Sequence, residues 1–410
     1  MMKNLSQTER LTLLALLLAS IILSVAFALR LPLDANPDER AHRDYVRLLI
    51  ETGSFIVFRG GDPAHFETHQ PPLYYLLCAP VFRATGGDIF ALRMVAALIQ
   101  LITIMVVFRA AKDLFPSRPE IAIGAAGFVT FLPTQAQLAG SINNDPLITL
   151  WCAFLFWKLG RVALKGGKNG IETAGMIALF LGVGLLTKLS MLQLVPTIIL
   201  AYFIAYRTQK ITFAQGTLFC TVAIVGGFLL ASPWLIRNTL LYGDPFTLKI
   251  FPLTAGEHTP TPDFMMTQMR WSFGEYVIFN AVRTFASFWF IVAPNAVLPP
   301  VPPFLIVAVL AVVGIVGAFR SSSRGGVPDS ERRVLFLFFL GLLILIPFFV
   351  RFNLRFYQAQ GRYFLPALLP VTALCLTGWS NVVGKNRSIY AIAGVVIVLI
   401  LLCLLQLSYY

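Results

Sequence analysis

Apolar and polar positions along this chain fall in long blocks. Eleven apolar blocks approach the roughly 20 residues that a membrane-spanning helix needs. They lie at about 11–30, 89–109, 120–135, 146–164, 172–187, 190–206, 212–231, 301–319, 333–350, 363–380 and 389–408, the third and fifth being the shortest. Short polar loops alternate with two long ones, 31–88 and 232–300, and with shorter ones at 136–145 and 351–362. The pattern predicts an all-α polytopic membrane protein of about eleven transmembrane helices, organised as one transmembrane domain over residues 1–410. The first block, Leu11 to Leu29, follows Lys3 and Arg10 and carries Ala26-Phe27-Ala28, a sequence like a signal-peptide cleavage site. Its length and the spans that follow predict that it is retained as a helix.

Within the first long loop the pattern turns helical. Asn36 is placed to cap, Pro37 suits a first helical position and Glu39 falls at the third. The helix is expected to end near Thr52-Gly53, with Asp38, His42, Tyr45 and Leu49 on one face. A second helix is expected to start at the prolines of His69-Gln70-Pro71-Pro72-Leu73-Tyr74-Tyr75, apolar enough to lie in the membrane interface. A loop of nearly sixty residues with structure of its own is usually functional.

Composition fits this picture. Of 410 residues 57% are hydrophobic and 12% charged, against about 25% charged in soluble domains. The net charge of +13 is spread over many loops with no Lys/Arg run, which argues for cationic loops beside anionic lipid and against nucleic acid. Lys3/Arg10, Arg109/Lys112/Arg118, Lys165/Lys168, Arg207/Lys210, Arg320/Arg324/Arg332/Arg333 and Lys385/Arg387 fall on one side. The positive-inside bias makes that side cytoplasmic, with the N-terminus inside and Tyr409-Tyr410 outside. Thirteen of the nineteen acidic residues then lie on the outer side, so any chemistry is expected there. Ser321 to Gly326 reads as a cytoplasmic linker. Cys78, Cys152, Cys220, Cys375 and Cys403 are isolated and show neither metal spacing nor a disulfide framework.

The outer segments carry the candidate chemistry. Ionisable groups at a membrane edge are costly, which makes Asp38, Glu39 and His42 functional candidates. Glu39 also fits a capping box, and Asp145-Pro146 also fits a plain helix start. Asp38, at the head of a helix after a span, is positioned to act as a base toward a hydroxyl. His69, Tyr74, Asp145 and Lys188 lie on the same side, with Glu67 as a possible second carboxylate. Arg237 sits at the membrane edge, and Arg351, Arg355 and Arg362 crowd the loop before the tenth span. Arginine forks match phosphate geometry, and such a cluster on the outer face runs against the charge bias. Carboxylates and arginines together at the outer surface suggest a reaction on a lipid-linked phosphate compound. No Walker, GxGxxG or zinc motif competes.

The ordered motifs resemble the membrane glycosyltransferases of the GT-C superfamily, near the protein-mannosyltransferase-like and aminoarabinose-transferase-like group. They are Pro37-Asp38-Glu39, Gln70-Pro71-Pro72-Leu73-Tyr74-Tyr75, Asn144-Asp145, Pro233-Trp234-Leu235-Ile236-Arg237-Asn238 with Tyr242-Gly243-Asp244-Pro245-Phe246, and Gly361-Arg362-Tyr363-Phe364-Leu365-Pro366. Each motif alone is weak, while the set in order covers most of the chain. The resemblance implies a polyprenyl-phosphate sugar donor, attack with inversion, and an active site on the non-cytoplasmic face of the cell membrane. It implies catalytic roles for Asp38 and its neighbour Glu39. It places Lys188, Arg237 and Arg362 where the lipid phosphate would be met; on the residues themselves Arg237, Arg355 and Arg362 are expected to hold phosphate, and His42, His69, Tyr74 and Asp145 to contribute to the substrate site. Many relatives carry a large soluble C-terminal domain that has no counterpart after the last span here, which leaves the acceptor open: lipid, glycan or protein. Some members use a divalent cation, Mg or Mn; Asp38 with Glu67 or Asp145 could ligate one, although no spacing demands it. A transporter or flippase of lipid-linked sugars, or a non-catalytic subunit of an envelope assembly complex, would share the phosphate-binding arginines. A transporter is expected to place its ionisable groups in broken helices near the bilayer midplane.

Overall fold

The computed structural model describes residues 5–33, 35–36, 38–58, 63–166, 170–250, 252–253, 259–290, 300–320 and 328–410. Pro37, Lys168 and the expected linker 321–326 lie outside the described residues, as do parts of both long loops.

The described residues are helical, without strands. In chain order the helices are α1 (Gln7–Arg30), α2 (Glu39–Thr52), α3 (Leu73–Thr85), α4 (Ile89–Leu114), α5 (Glu120–Phe131), α6 (Pro133–Leu138), α7 (Asp145–Lys165) and α8 (Gly170–Leu185). There follow α9 (Val195–Arg207), α10 (Phe213–Tyr242), α11 (Pro262–Met269), α12 (Phe273–Trp289), α13 (Val301–Phe319), α14 (Asp329–Asn353), α15 (Leu368–Val383) and α16 (Ser388–Leu407). Among the described residues nine helices are long and apolar enough to cross a membrane, and α5 and α8 are shorter apolar helices. The all-α polytopic expectation and the positions of the eleven apolar blocks therefore hold.

The boundaries differ where local chemistry decides them. The third block is broken at Leu132-Pro133, because a proline lacks the N–H that would continue the helix, and the chain restarts there as α6. Two 3-10 turns, Leu189–Leu194 and Gly361–Ala367, precede α9 and α15. Helix α10 runs past Pro233 to Tyr242 and ends at Gly243 with φ 64°, so residues 232–242, read from sequence as loop, are helix. The apolar run Leu235, Ile236, Leu240 and Leu241 sustains it, and the left-handed glycine stops it.

Helix ends sort into two sets. At one end Glu9 pairs with Lys112 (2.6 Å), and Asp113 accepts from Trp157 Nε1 (2.9 Å) and pairs with Arg161 (3.5 Å). At the same end Glu331 accepts from the backbone N–H (3.0 Å) and the hydroxyl (2.7 Å) of Ser117. These contacts bind helix termini across the bundle. At the opposite end lie α2, α3, α6, the start of α7 and the two 3-10 turns.

Helix α2 is amphipathic, burying Glu39, His42, Tyr45, Val46 and Leu49 on one face and closing at Gly53, with φ 64°. The shared face expected from the sequence is therefore present. Its start is not as expected: α2 begins at Glu39, and Asp38 is its N-cap, with φ 68° and no capping hydrogen bond from its side chain. Asn36 instead accepts a hydrogen bond from Gln137 (2.9 Å). Helix α3 begins directly after Pro72, burying Tyr74, Tyr75 and Cys78 while Leu76 and Leu77 stay exposed.

Close helix packing depends on small residues, as is usual where apolar burial cannot drive helices together in lipid. On α13 and α15 the Gly314, Gly317 and Gly378 backbones touch, and a Cβ on Gly378 would overlap the Gly314 carbonyl oxygen. Gly175 faces open space. We expect Gly378→Ala to destabilise the protein by about 1–3 kcal/mol, the usual cost of overpacking, and Gly175→Ala to be neutral. Thermal unfolding in detergent measures both, and equal melting temperatures for the two variants would contradict this packing.

Candidate active site

Four charged side chains from distant parts of the chain meet at the end that carries α2 and α3. Arg362 donates to the Asp38 carboxylate (3.2 Å) and, through its other terminal nitrogen, to Asp145 (3.3 Å). Lys188 donates to the second oxygen of Asp145 (2.5 Å). The side chains of Asp145 and Arg362 are 7% and 10% exposed, and Asp38 is 33% exposed. Buried charges persist only when paired, and two anions here balance two cations. Asp38 is the member most open to an incoming molecule.

The backbone explains why each group points inward. Asp38 sits in the left-handed region, uncommon for a residue with a side chain although best tolerated by Asp and Asn. Strain of this kind concentrates at functional sites. The carboxylate reaches Arg362 and makes no cap to its own helix. Asp145 was read from sequence as a possible N-cap, but the cap position belongs to Asn144, and Asn143 Oδ1 accepts from the Asp145 N–H (2.8 Å). The Asp145 carboxylate is thereby left for Lys188 and Arg362. Lys188 is extended at the start of its 3-10 turn, next to Leu186, whose carbonyl accepts from Leu73 N–H of α3 (2.9 Å). Arg362 is aimed by Gly361, whose N–H donates to Ser287 Oγ (2.8 Å) on α12. A Cβ at Gly361 would overlap the Phe288 backbone. Gln360 Oε1 accepts from Arg362 Nε (2.6 Å).

Around this network lie buried polar groups. His42 Nδ1 and the Tyr75 hydroxyl are hydrogen-bonded (2.9 Å), and Tyr74 accepts from the Asn143 N–H (2.9 Å). Burial pushes His42 down to about 3, although the Asp38 charge opposes this. Burial likewise pushes His69 down to about 4, so both imidazoles are neutral at pH 7. His69 bonds the Phe66 carbonyl (3.0 Å). Glu67 is 4% exposed and is pushed up to about 8, first by burial and then by the negative charge of Asp38. Both polar atoms of the Asn144 side chain are buried without a hydrogen-bond partner.

Other sequence candidates are placed elsewhere. Glu39 is fully buried and binds Arg93 through both oxygens (2.8 Å each), and also accepts from the Ile142 N–H (2.9 Å). Arg93 in turn donates to the Ala28 (2.7 Å) and Leu31 (2.9 Å) carbonyls at the end of α1. Glu39 forms no capping box and ties α1, α2, α4 and the loop before α7 together. Arg237 donates to the Phe55 (3.2 Å) and Ile56 (2.8 Å) carbonyls and lies over Trp234, pinning the segment after α2 to α10. Arg355 is exposed beside Phe356. Among the described residues no three His, Cys, Asp or Glu side chains gather closely enough to hold a metal ion. Asp38 and Asp145 are instead directed at Arg362.

An apolar cavity of about 420 Å³ adjoins the arginine turn, walled by α12, α13, α14 and α15 and by Phe364, two residues beyond Arg362. Asn280 and Thr284 each bring a buried, unpartnered oxygen to its wall. A second apolar groove lies between α9 and α14, around Pro196 and Pro347.

The family described as dolichyl-phosphate-mannose-protein mannosyltransferase matches residues 69–236. An undecaprenyl phosphate-alpha-4-amino-4-deoxy-L-arabinose arabinosyl transferase of Aeromonas hydrophila is 25% identical over 222 residues, which is 52% of this chain and 39% of that one. A second such transferase, of Proteus mirabilis, is 22% identical over 227 residues, 54% of this chain and 39% of that one. The aligned part is thus about two-fifths of the length of these curated relatives. The crystal structure of ArnT from Cupriavidus metallidurans bound to undecaprenyl phosphate superposes with a TM-score of 0.42 at 17% identity, covering 93% of this chain and 79% of that one. The family match and the arabinosyl transferase relatives support a GT-C superfamily protein. The likeness is to the aminoarabinose-transferase-like and mannosyltransferase-like members of that superfamily.

The sequence named Tyr75 and Asn144 only inside motifs and without roles of their own, and gave Arg93 no place in this region. A lone arginine four residues into an apolar span was the available signal for Arg93. The Glu39–Arg93 pair predicts a stability phenotype: Glu39→Ala should cost about 3–5 kcal/mol, the usual penalty for orphaning a buried charge. Thermal unfolding tests this; an unchanged melting temperature with lost activity would instead assign Glu39 a chemical role.

Proposed function

We propose that this protein is an integral-membrane glycosyltransferase that moves a sugar from a polyprenyl-phosphate carrier to an extracytoplasmic acceptor, with inversion. The observation that carries the reading is the convergence of Asp38 with Arg362 and Lys188 beside an apolar cavity. A base, a phosphate clamp and room for a hydrocarbon chain are the parts that such a reaction needs. The relatives named above act on undecaprenyl-phosphate-linked sugar and point the same way.

In this reading the donor phosphate takes hydrogen bonds from Arg362 and Lys188. Arg362 is shared with Asp38, so the phosphate competes with that carboxylate and releases it toward the acceptor. The acceptor hydroxyl oxygen attacks the anomeric carbon while Asp38 removes its proton. The bond from that carbon to the phosphate oxygen breaks, and polyprenyl phosphate leaves with its new negative charge held by the two cations. The proton ends on Asp38, and the products are glycosylated acceptor and polyprenyl phosphate. Neutral His42 and His69 pack around the base without adding charge.

The basic short loops at the far end of the bundle support a cytoplasmic N-terminus and an outward-facing site. The acceptor is a lipid, a glycan or a protein at that surface. The charged groups stand at helix ends and not in the middle of the spans, which favours an enzyme over a transporter.

Asp38→Asn should lower transfer by about 10²–10⁴-fold, the usual worth of a positioned base, with the melting temperature nearly unchanged because Asp38 is partly exposed. Arg362→Lys should chiefly raise the KM for donor, since lysine cannot bridge two acceptors as a guanidinium does. Purified protein in detergent with a panel of polyprenyl-phosphate sugars, with and without EDTA, measures both. Full transfer by the Asp38→Asn variant would remove Asp38 as base.

A further inference from the structure

The chain just before Gly361 is extended, with Gln360 at φ −126° and ψ 122°. Extended backbone sends side chains two residues apart to the same side, so Gln358 and Gln360 lie together. The arginine beyond them dictates how both amides are turned. A guanidinium carries only donors, so Gln360 must present its oxygen to Arg362 Nε (2.6 Å). Its Nε2 then donates to Gln358 Oε1 (2.8 Å), which also accepts from the Tyr363 hydroxyl (3.2 Å). Gln358 is anchored in turn. Its backbone N–H donates to Asn353 Oδ1 (2.9 Å) at the end of α14, and its Nε2 donates to Thr259 Oγ1 (3.4 Å). The Asn353 carbonyl accepts from the Tyr276 hydroxyl of α12 (2.7 Å). A chain of hydrogen bonds thus runs from two packed helices, through two glutamines, to the arginine of the candidate site.

We propose that Gln360 is a positioning residue that occupies Arg362 Nε and so holds Asp38 to a single, releasable bond. The inference rests on the glycosyltransferase reading above, in which the donor phosphate displaces Asp38 from Arg362. Each of three acceptors takes a different nitrogen of the guanidinium: Gln360 on Nε, Asp145 on Nη1 and Asp38 on Nη2. Nη2 lies on the Nε side of the group, so Nε and Nη2 together make the side-on fork that a carboxylate takes with two parallel bonds. Asp38 is already on one prong of that fork, at 3.2 Å. Gln360 fills the other prong with a neutral oxygen. Without it, a small shift of the partly exposed Asp38 closes a bidentate ion pair. The phosphate would then have to break two charged bonds instead of one, and the base would stay locked to the arginine. Gln360 thus acts on substrate through Arg362 and Asp38, and touches none itself.

The test measures the Kd for undecaprenyl phosphate with the full chain in detergent and EDTA, read by intrinsic tryptophan fluorescence. A Kd does not depend on the folded fraction, so a general loss of structure leaves it in place. Gln360→Met keeps the length of the side chain and removes the acceptor. It should weaken binding by about 10- to 100-fold, the worth of one more hydrogen bond between charged groups. Gln360→Asn is too short to reach Nε and should do the same, which covers a methionine variant that fails to fold. The deciding comparison is in the Asp38→Asn background, where no carboxylate is present to close the fork. There Gln360→Met should change the Kd by no more than about threefold, because the two residues act through one contact. Gln360→Met and Gln360→Asn as tight as wild type would overturn the proposal. So would the same loss with and without Asp38, which would make Gln360 a structural support only. A wild type that binds no undecaprenyl phosphate would instead overturn the donor reading, and this inference with it.

Discussion

Arg362 is held between two carboxylates, and the arrangement of the candidate site follows from that sharing. A guanidinium with 10% of its side chain exposed needs its charge matched nearby. Asp38 and Asp145 supply the match from the head of α2 and the first residue of α7, at 3.2 and 3.3 Å. Lys188 then balances the second charge on Asp145. Two helix starts and two 3-10 turns, separated by up to 324 residues, are thereby fixed relative to one another. The same sharing makes the network responsive, because an anion that takes Arg362 frees a carboxylate beside it.

Several features serve this one contact. Gly361 lets the turn lie against α12 and sets the direction of the arginine. Asn143 satisfies the start of α7, so that Asp145 need not. The Glu39–Arg93 pair braces the end of α1 against α2 and α4, fixing the segment that presents Asp38. Adjacent carboxylates in the sequence thus have different physical situations. Glu39 is fully buried and bidentate to arginine, while Asp38 is partly exposed and borrowed by one.

Much of this was legible in the sequence, for physical reasons. Apolar block length marks spans because the bilayer sets it, and the α2 face followed from helical spacing. Asp38, Asp145, Lys188 and Arg362 could each be singled out as charges at a membrane edge. Their convergence could not be read, since it depends on the packing of α7, α12 and α15. The same limit explains Arg237 and Arg355: both are arginines expected at the membrane edge, yet one holds the backbone of residues 55–56 and the other is exposed. Glu67 shows the converse. A loop acid is usually solvated, and only the fold shows that this one is buried among the charges of the site.

The most direct measurement is the fate of a doubly labelled donor. Purified protein in liposomes would receive a polyprenyl-phosphate sugar labelled in both the sugar and the phosphate, together with an envelope extract as acceptor. The account predicts that sugar label moves to acceptor in one-to-one proportion with released polyprenyl phosphate, with inverted anomeric configuration. Intact donor carried across the bilayer, with both labels still joined, would contradict it.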